Sequence, residues 1–71
     1  MQEVRSEMTS NVWKILVAVG ERVEEDQELM ILESMKMEIP VSSPVAGTVA
    51  KLHVAEGQSI DEEDLLAEIT L

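Results

Sequence analysis

Seventy-one residues carry a formal net charge of −10, from fifteen acids against five bases, with no cysteine and a single aromatic side chain, Trp13. A chain this short has room for one core and buries only about 60% of its unfolded surface, so without disulfides its nine Val, five Ile and seven Leu must supply the packing. The acidic balance repels phosphate backbones and anionic headgroups, which sets aside nucleic acid and membrane surfaces as partners. No apolar stretch approaches the ~20 residues of a membrane span, and the start Met-Gln-Glu-Val-Arg has no signal-peptide pattern; a soluble, cytoplasmic, monomeric domain covering residues 1–71 is expected.

In chain order, short β-rich runs between turns predict strands at Glu3 to Ser6, Val12 to Val17, Arg22 to Val23, Glu28 to Glu33, Met37 to Val41, Thr48 to Val54, Ser59 to Ile60 and Leu65 to Thr70. Turns are expected at Gly20, from Pro40 to Gly47, and at Gly57. The stretch Glu24 to Glu33 contains good helix formers, but its apolar residues Leu29, Met30, Ile31 and Leu32 are consecutive and form no 3.6-residue stripe, so strand is preferred. Pro40 and Pro44 suit an edge or a loop. Trp13 is compatible with core or rim.

Two half-chains repeat. Lys14-Ile15-Leu16-Val17-Ala18-Val19-Gly20 aligns with Lys51-Leu52-His53-Val54-Ala55-Glu56-Gly57 at an offset of 37, and the register continues without a gap through Val23 and Ile60, Leu29 and Leu66, and Leu32 and Ile69. Two copies fit a domain built about a pseudo-two-fold axis, since a solenoid needs three or more units. Alternation slips once in each half: Val12 differs in parity from Ile15 and Val17, and Val49 from Leu52 and Val54. That slip predicts a bulge at Trp13-Lys14 and at Ala50-Lys51, where a strand would pass from one sheet to the other.

Lys36 lies at the junction of the halves, on a predicted hairpin tip within Glu33-Ser34-Met35-Lys36-Met37-Glu38. Its image would be position 73, just past Leu71. An exposed lysine is ordinarily a solubilising charge, and methionines are ordinarily core; on a tip, however, Met35 and Met37 are out of place as core and suit recognition. Glu33 and Glu38 bracket the tip as solvent charges or as contacts to a modifying enzyme. His53 is expected to point outward, with no cysteine or second histidine for a zinc site. A soft copper(I) set of Met30, Met35, Met37 and His53 is a minor reading, and no Ser, His and Asp arrangement can be built from one histidine.

The run Val19-Gly20-Glu21-Arg22-Val23, then Leu29, then Glu33-Ser34-Met35-Lys36-Met37-Glu38-Ile39-Pro40-Val41, then Pro44-Val45-Ala46-Gly47-Thr48-Val49, resembles the biotinyl domain family of biotin-dependent carboxylases over nearly the whole chain. The resemblance implies an all-β, flattened barrel-sandwich of two four-stranded antiparallel sheets, with biotin attached covalently to Lys36. Met35 and Met37 would be the neighbours that a biotin protein ligase reads, where related lipoyl domains have Asp-Lys-Ala or similar. The first half departs in having Ser10 where the second has Gly47, which predicts a looser first turn, and there is no room for the protruding segment that some bacterial members insert.

What the resemblance implies is carrier chemistry without catalytic or metal-binding residues. Biotin on Lys36 would carry a carboxyl group between biotin carboxylase and carboxyltransferase subunits. The alternative is a lipoyl carrier, or an acceptor of both biotin and lipoate, served by a lipoyl ligase for acyl- or aminomethyl-transfer complexes.

Overall fold

A computed structural model describes all 71 residues, as eight strands and no helix. They are β1 (Gln2–Arg5), β2 (Ser10–Ile15), β3 (Arg22–Val23), β4 (Glu28–Ser34), β5 (Met37–Ser42), β6 (Gly47–Leu52), β7 (Ser59–Ile60) and β8 (Leu65–Thr70). One antiparallel sheet runs β1-β8-β6-β3 and the other β5-β4-β2-β7. Each predicted strand is present within a residue or two of its expected bounds, and the halves are images at the offset of 37.

Hydrogen bonds between the halves reproduce that symmetry. The Gly20 amide donates to the Val49 carbonyl at 2.7 Å, and the Gly57 amide to the Val12 carbonyl at 2.7 Å. The Ser6 amide donates to Asp64 at 2.9 Å and the Ser43 amide to Gln27 at 2.8 Å, while the two serine hydroxyls close local turns onto Met8 and Val45, each at 2.6 Å. Both serines are buried with these bonds made, so burying them leaves no polar group unsatisfied.

The core follows the same axis. Val4, Val17, Val23, Leu29, Val49, Ala67 and Ile69 form one buried cluster, and Val12, Met30, Leu32, Ile60 and Leu66 form the other, with half-buried Val41 and Val54 completing its image. Met30 and Ala67 occupy equivalent sites, so the larger side chain of one cluster answers the smaller of the other. Adjacent Leu29 and Met30 are both buried, one in each cluster, and the register of β4 on β5 shifts between Glu28 and Met30. That is why this stretch shows no clean alternation in sequence.

The predicted bulges are present: register shifts between Val12 and Lys14 on β2 and between Val49 and Lys51 on β6. The strands bend there but do not change sheet, correcting the expected crossing. Two further corrections concern turns. β5 continues through Pro40 to Ser42, because it is an edge strand and Pro40 needs to supply no outward ladder bond, so the connection to β6 is only residues 43–46. Ser10 and Gly47 are strand starts, opposite Ile60 and Val23 respectively, and the first is no looser than the second. Glycine at 47 answers a close approach: a Cβ there would overlap the Thr70 carbonyl oxygen and lie 2.8 Å from Ile69 Cγ2.

Candidate functional site

β4 and β5 form a hairpin whose last ladder pair is Ser34 opposite Met37. Met35 and Lys36 make the two-residue loop between them, with φ of 50° and 68°. Two consecutive positive φ values are the signature of the hairpin turn whose twist matches that of the flanking strands. Asn-Gly is the sequence that adopts this turn without strain; a methionine and a lysine held there each cost on the order of 1–3 kcal/mol. The tip is therefore a strained turn of residues unsuited to it locally, which points to selection for what those side chains present.

Met35 is 92% exposed and Met37 62% exposed, on either side of an exposed Lys36. The Lys36 ammonium makes no ion pair: Arg5 pairs with Glu3 at 2.8 Å, and the His53 ring meets Glu68 at 3.2 Å. Nor does it donate a hydrogen bond to any protein group, so nothing must be broken before it reacts. Below the tip, Glu33 stands directly opposite Glu38, a like-charge pair that costs stability in a cross-strand ladder. Ser34 donates its hydroxyl to the Thr9 carbonyl at 3.4 Å, and Ser59 donates to Asn11 Oδ1 at 2.8 Å. These side chains edge an open depression of about 280 Å³ beside Lys36.

Other candidates from the sequence fall elsewhere. Met30 is fully buried within β4, which removes it from any ligand set with the exposed tip methionines. His53 is exposed, as expected, and its Nε2 lies 3.2 Å from Glu68 Oε2 on the opposite sheet from the hairpin. No group of His, Cys, Asp or Glu is arranged to hold a metal ion, and no helix is long and apolar enough to cross a membrane. Sequence reasoning missed the outward apolar residues of the hairpin sheet: the parity slip at Trp13-Lys14 marks the bulge but not the side that Trp13 faces, and the structure places it outside.

The chain is thus a strand-only, two-fold sandwich with an exposed lysine at the tip of one hairpin. The family model described as "Biotin-requiring enzyme" matches residues 2–69, and the chain belongs to that family. It is 42% identical over 67 residues to the "Biotin/lipoyl attachment protein" of Bacillus subtilis, covering 94% of this chain and 92% of that protein. It is 47% identical over 62 residues to the "Biotin carboxyl carrier protein" of Streptococcus mutans, covering 87% of this chain and 48% of that one. Among solved structures, the Kluyveromyces lactis urea carboxylase superposes with a TM-score of 0.92 at 35% identity, over 97% of this chain and 6% of that one. The expected fold and family are borne out.

Proposed function

We propose that residues 1–71 act as one carrier unit, in which Lys36 takes biotin in amide linkage and carries it between the two half-reactions of a carboxylase system. The observation that carries this reading is the unpaired, exposed Lys36 amine on a positive-φ turn between two exposed methionines. It is supported by the family match and by relatives named for biotin carriage and carboxylation.

The residues present suit the attached group. Lys36 stands clear of the sheets, so an acyl chain on its Nζ meets no backbone, and the turn fixes where the stem begins. During attachment the Lys36 ammonium gives up a proton, and its nitrogen displaces AMP from an acyl adenylate made by a biotin protein ligase. Met35 and Met37 offer that ligase soft apolar contacts that a lipoyl-type turn lacks. When bound, biotin supplies a ureido nitrogen that takes up and gives back a carboxyl group; the barrel contributes rigidity and a surface for partners. Tethering also keeps the group at high effective concentration beside both enzymes, here a biotin carboxylase and a carboxyltransferase. The chain itself is a carrier and not an enzyme.

Lipoate is the alternative cargo, since one of the relatives is named for attachment of both. The intact mass of the protein from its native cell distinguishes unmodified, biotinylated and lipoylated chains. Wild type treated with ligase, biotin and ATP should gain one biotin, and Lys36→Ala none; labelling of that variant would overturn the assignment.

A further inference from the structure

The two-fold symmetry makes each sheet a control for the other. On the outer face of the β1-β8-β6-β3 sheet, the cross-strand row is Lys51, Glu68, Glu3, and His53 bonds to Glu68 at 3.2 Å. The image row on the hairpin sheet is Lys14, Ile31, Pro40. At the bulges, Trp13 replaces Ala50, and one outward position further on Leu16 replaces His53. Trp13 is 42% exposed and Leu16 46% exposed, with the Lys14 ammonium 5.5 Å from the centre of the indole ring. The polar version of this face is compatible with the same backbone, so the fold does not require the apolar one. Exposed apolar residues gathered on one side of a small soluble domain mark a contact surface, and tryptophan is the residue most suited to anchor one.

The rim of this face is acidic. Glu33 and Glu38 form the next outward row toward the tip, and Glu28 lies at the other end of β4. A complementary surface therefore has an apolar pocket bordered by cationic side chains.

Reach selects the occupant. Trp13 lies level with Ile31 and Leu32, about 15 Å along the strand from Lys36 at the rise of an extended chain. A ligase must take the Lys36 amine into its own active site, so its footprint centres on Met35 to Met37. An enzyme that receives only the head of the loaded arm can seat the domain further back by the length of the lysine stem and the acyl chain. The enzyme that loads the carboxyl group must bind ATP and bicarbonate, both anions, and so gathers cations around its entrance.

We infer that Trp13, Leu16, Ile31 and Pro40 form the surface on which the biotin carboxylase subunit docks, its apolar pocket on Trp13 and its cations against Glu33, Glu38 and Glu28. This rests on the reading of Lys36 as the biotin carrier. The two apolar anchors are tested by Trp13→Ala and Ile31→Glu, each of which imports the residue that the other half already carries at its image.

Wild type and both variants are first biotinylated by purified ligase and checked by intact mass and thermal melting. Then the rate of carboxylation by the biotin carboxylase subunit of the same organism is measured against carrier concentration. Each variant should raise KM roughly tenfold, as loss of an anchor residue does, with kcat within about twofold and with the ligase rate within about twofold of wild type, that small margin being less than an anchor contributes. Added salt should raise the wild-type KM as the acidic rim is screened. Unchanged KM in both variants overturns the inference, as does an equal loss with the ligase. A loss confined to the carboxyltransferase step, or a self-association of wild type that both variants abolish, assigns the face to another occupant and also overturns it. Failure of wild type to accept biotin would instead sink the carrier reading, and the inference with it.

Discussion

Gly20 and Gly57 adopt φ of 93° and 88° at equivalent turns, and each donates its amide to a valine carbonyl of the other half, Val49 and Val12 respectively. Nothing lies within 4 Å of where a Cβ would stand at either position. Any penalty for a side chain there is conformational, without a steric clash. Gly20→Val and Gly57→Val should each destabilise the domain by about 1–3 kcal/mol, and by similar amounts, as read from the urea midpoint. Wild-type midpoints for both would show that the backbone at these turns is not held in the left-handed region.

Gly47 tests a different cause. Its conformation is ordinary, but the Thr70 carbonyl and the Ile69 side chain occupy the space a methyl group would need. Gly47→Ala should therefore cost roughly 1–3 kcal/mol or more through overpacking, although alanine is intrinsically better than glycine in a strand. Ser10 occupies the equivalent position with a side chain already accommodated, so Ser10→Ala should shift the urea midpoint far less. A neutral Gly47→Ala would mean that β8 can move aside at Thr70.

Met35 and Met37 carry so little of the core that their replacement should act on modification alone. Met35→Asp with Met37→Ala should leave the melting temperature within a few degrees, while initial rates of biotinylation fall and lipoylation by a lipoyl ligase persists or rises. The separation matters because exposure at the tip argues for a recognition role and against packing. Unchanged labelling by both ligases would return the methionines to a structural or neutral role.

How much of this was readable beforehand depended on the repeat. The offset of 37 located strands in pairs, and the parity slip located both bulges, because an extra residue in a period-2 pattern leaves a mark in the sequence itself. Lys36 was placed at the tip by the same register. Three things left no such mark. Pro40 falls both in the strand expected to Val41 and in the turn expected from Pro40 to Gly47, and only the topology, with β5 at an edge where a missing N–H can face solvent, decides for the strand. Trp13 was ambiguous because a bulged residue belongs to neither alternating set. The outward row of Lys14, Ile31 and Pro40 joins three strands, and only the observed register brings those residues side by side.

Stability and function are opposed at the tip. Met35 and Lys36 hold positive φ without being glycine or asparagine, and no hydrogen bond from either side chain compensates for it. Met35→Asn with Lys36→Gly installs the pair that this turn favours, so the double variant should be more stable than wild type by about 1–5 kcal/mol, the relief of left-handed strain at two positions less the ~0.5–1 kcal/mol that glycine loses in chain entropy. It should also accept no biotin, having lost the amine. The single variant Met35→Asn separates the two effects: part of the stabilisation should appear, Lys36 should remain available, and biotinylation should slow because one recognition contact is gone. Denaturant unfolding and ligase kinetics on the same three proteins measure both quantities. If neither substitution raised stability, the tip would be a relaxed turn, and its positive φ values would give no reason to regard Met35 and Lys36 as held there for what they present to a partner.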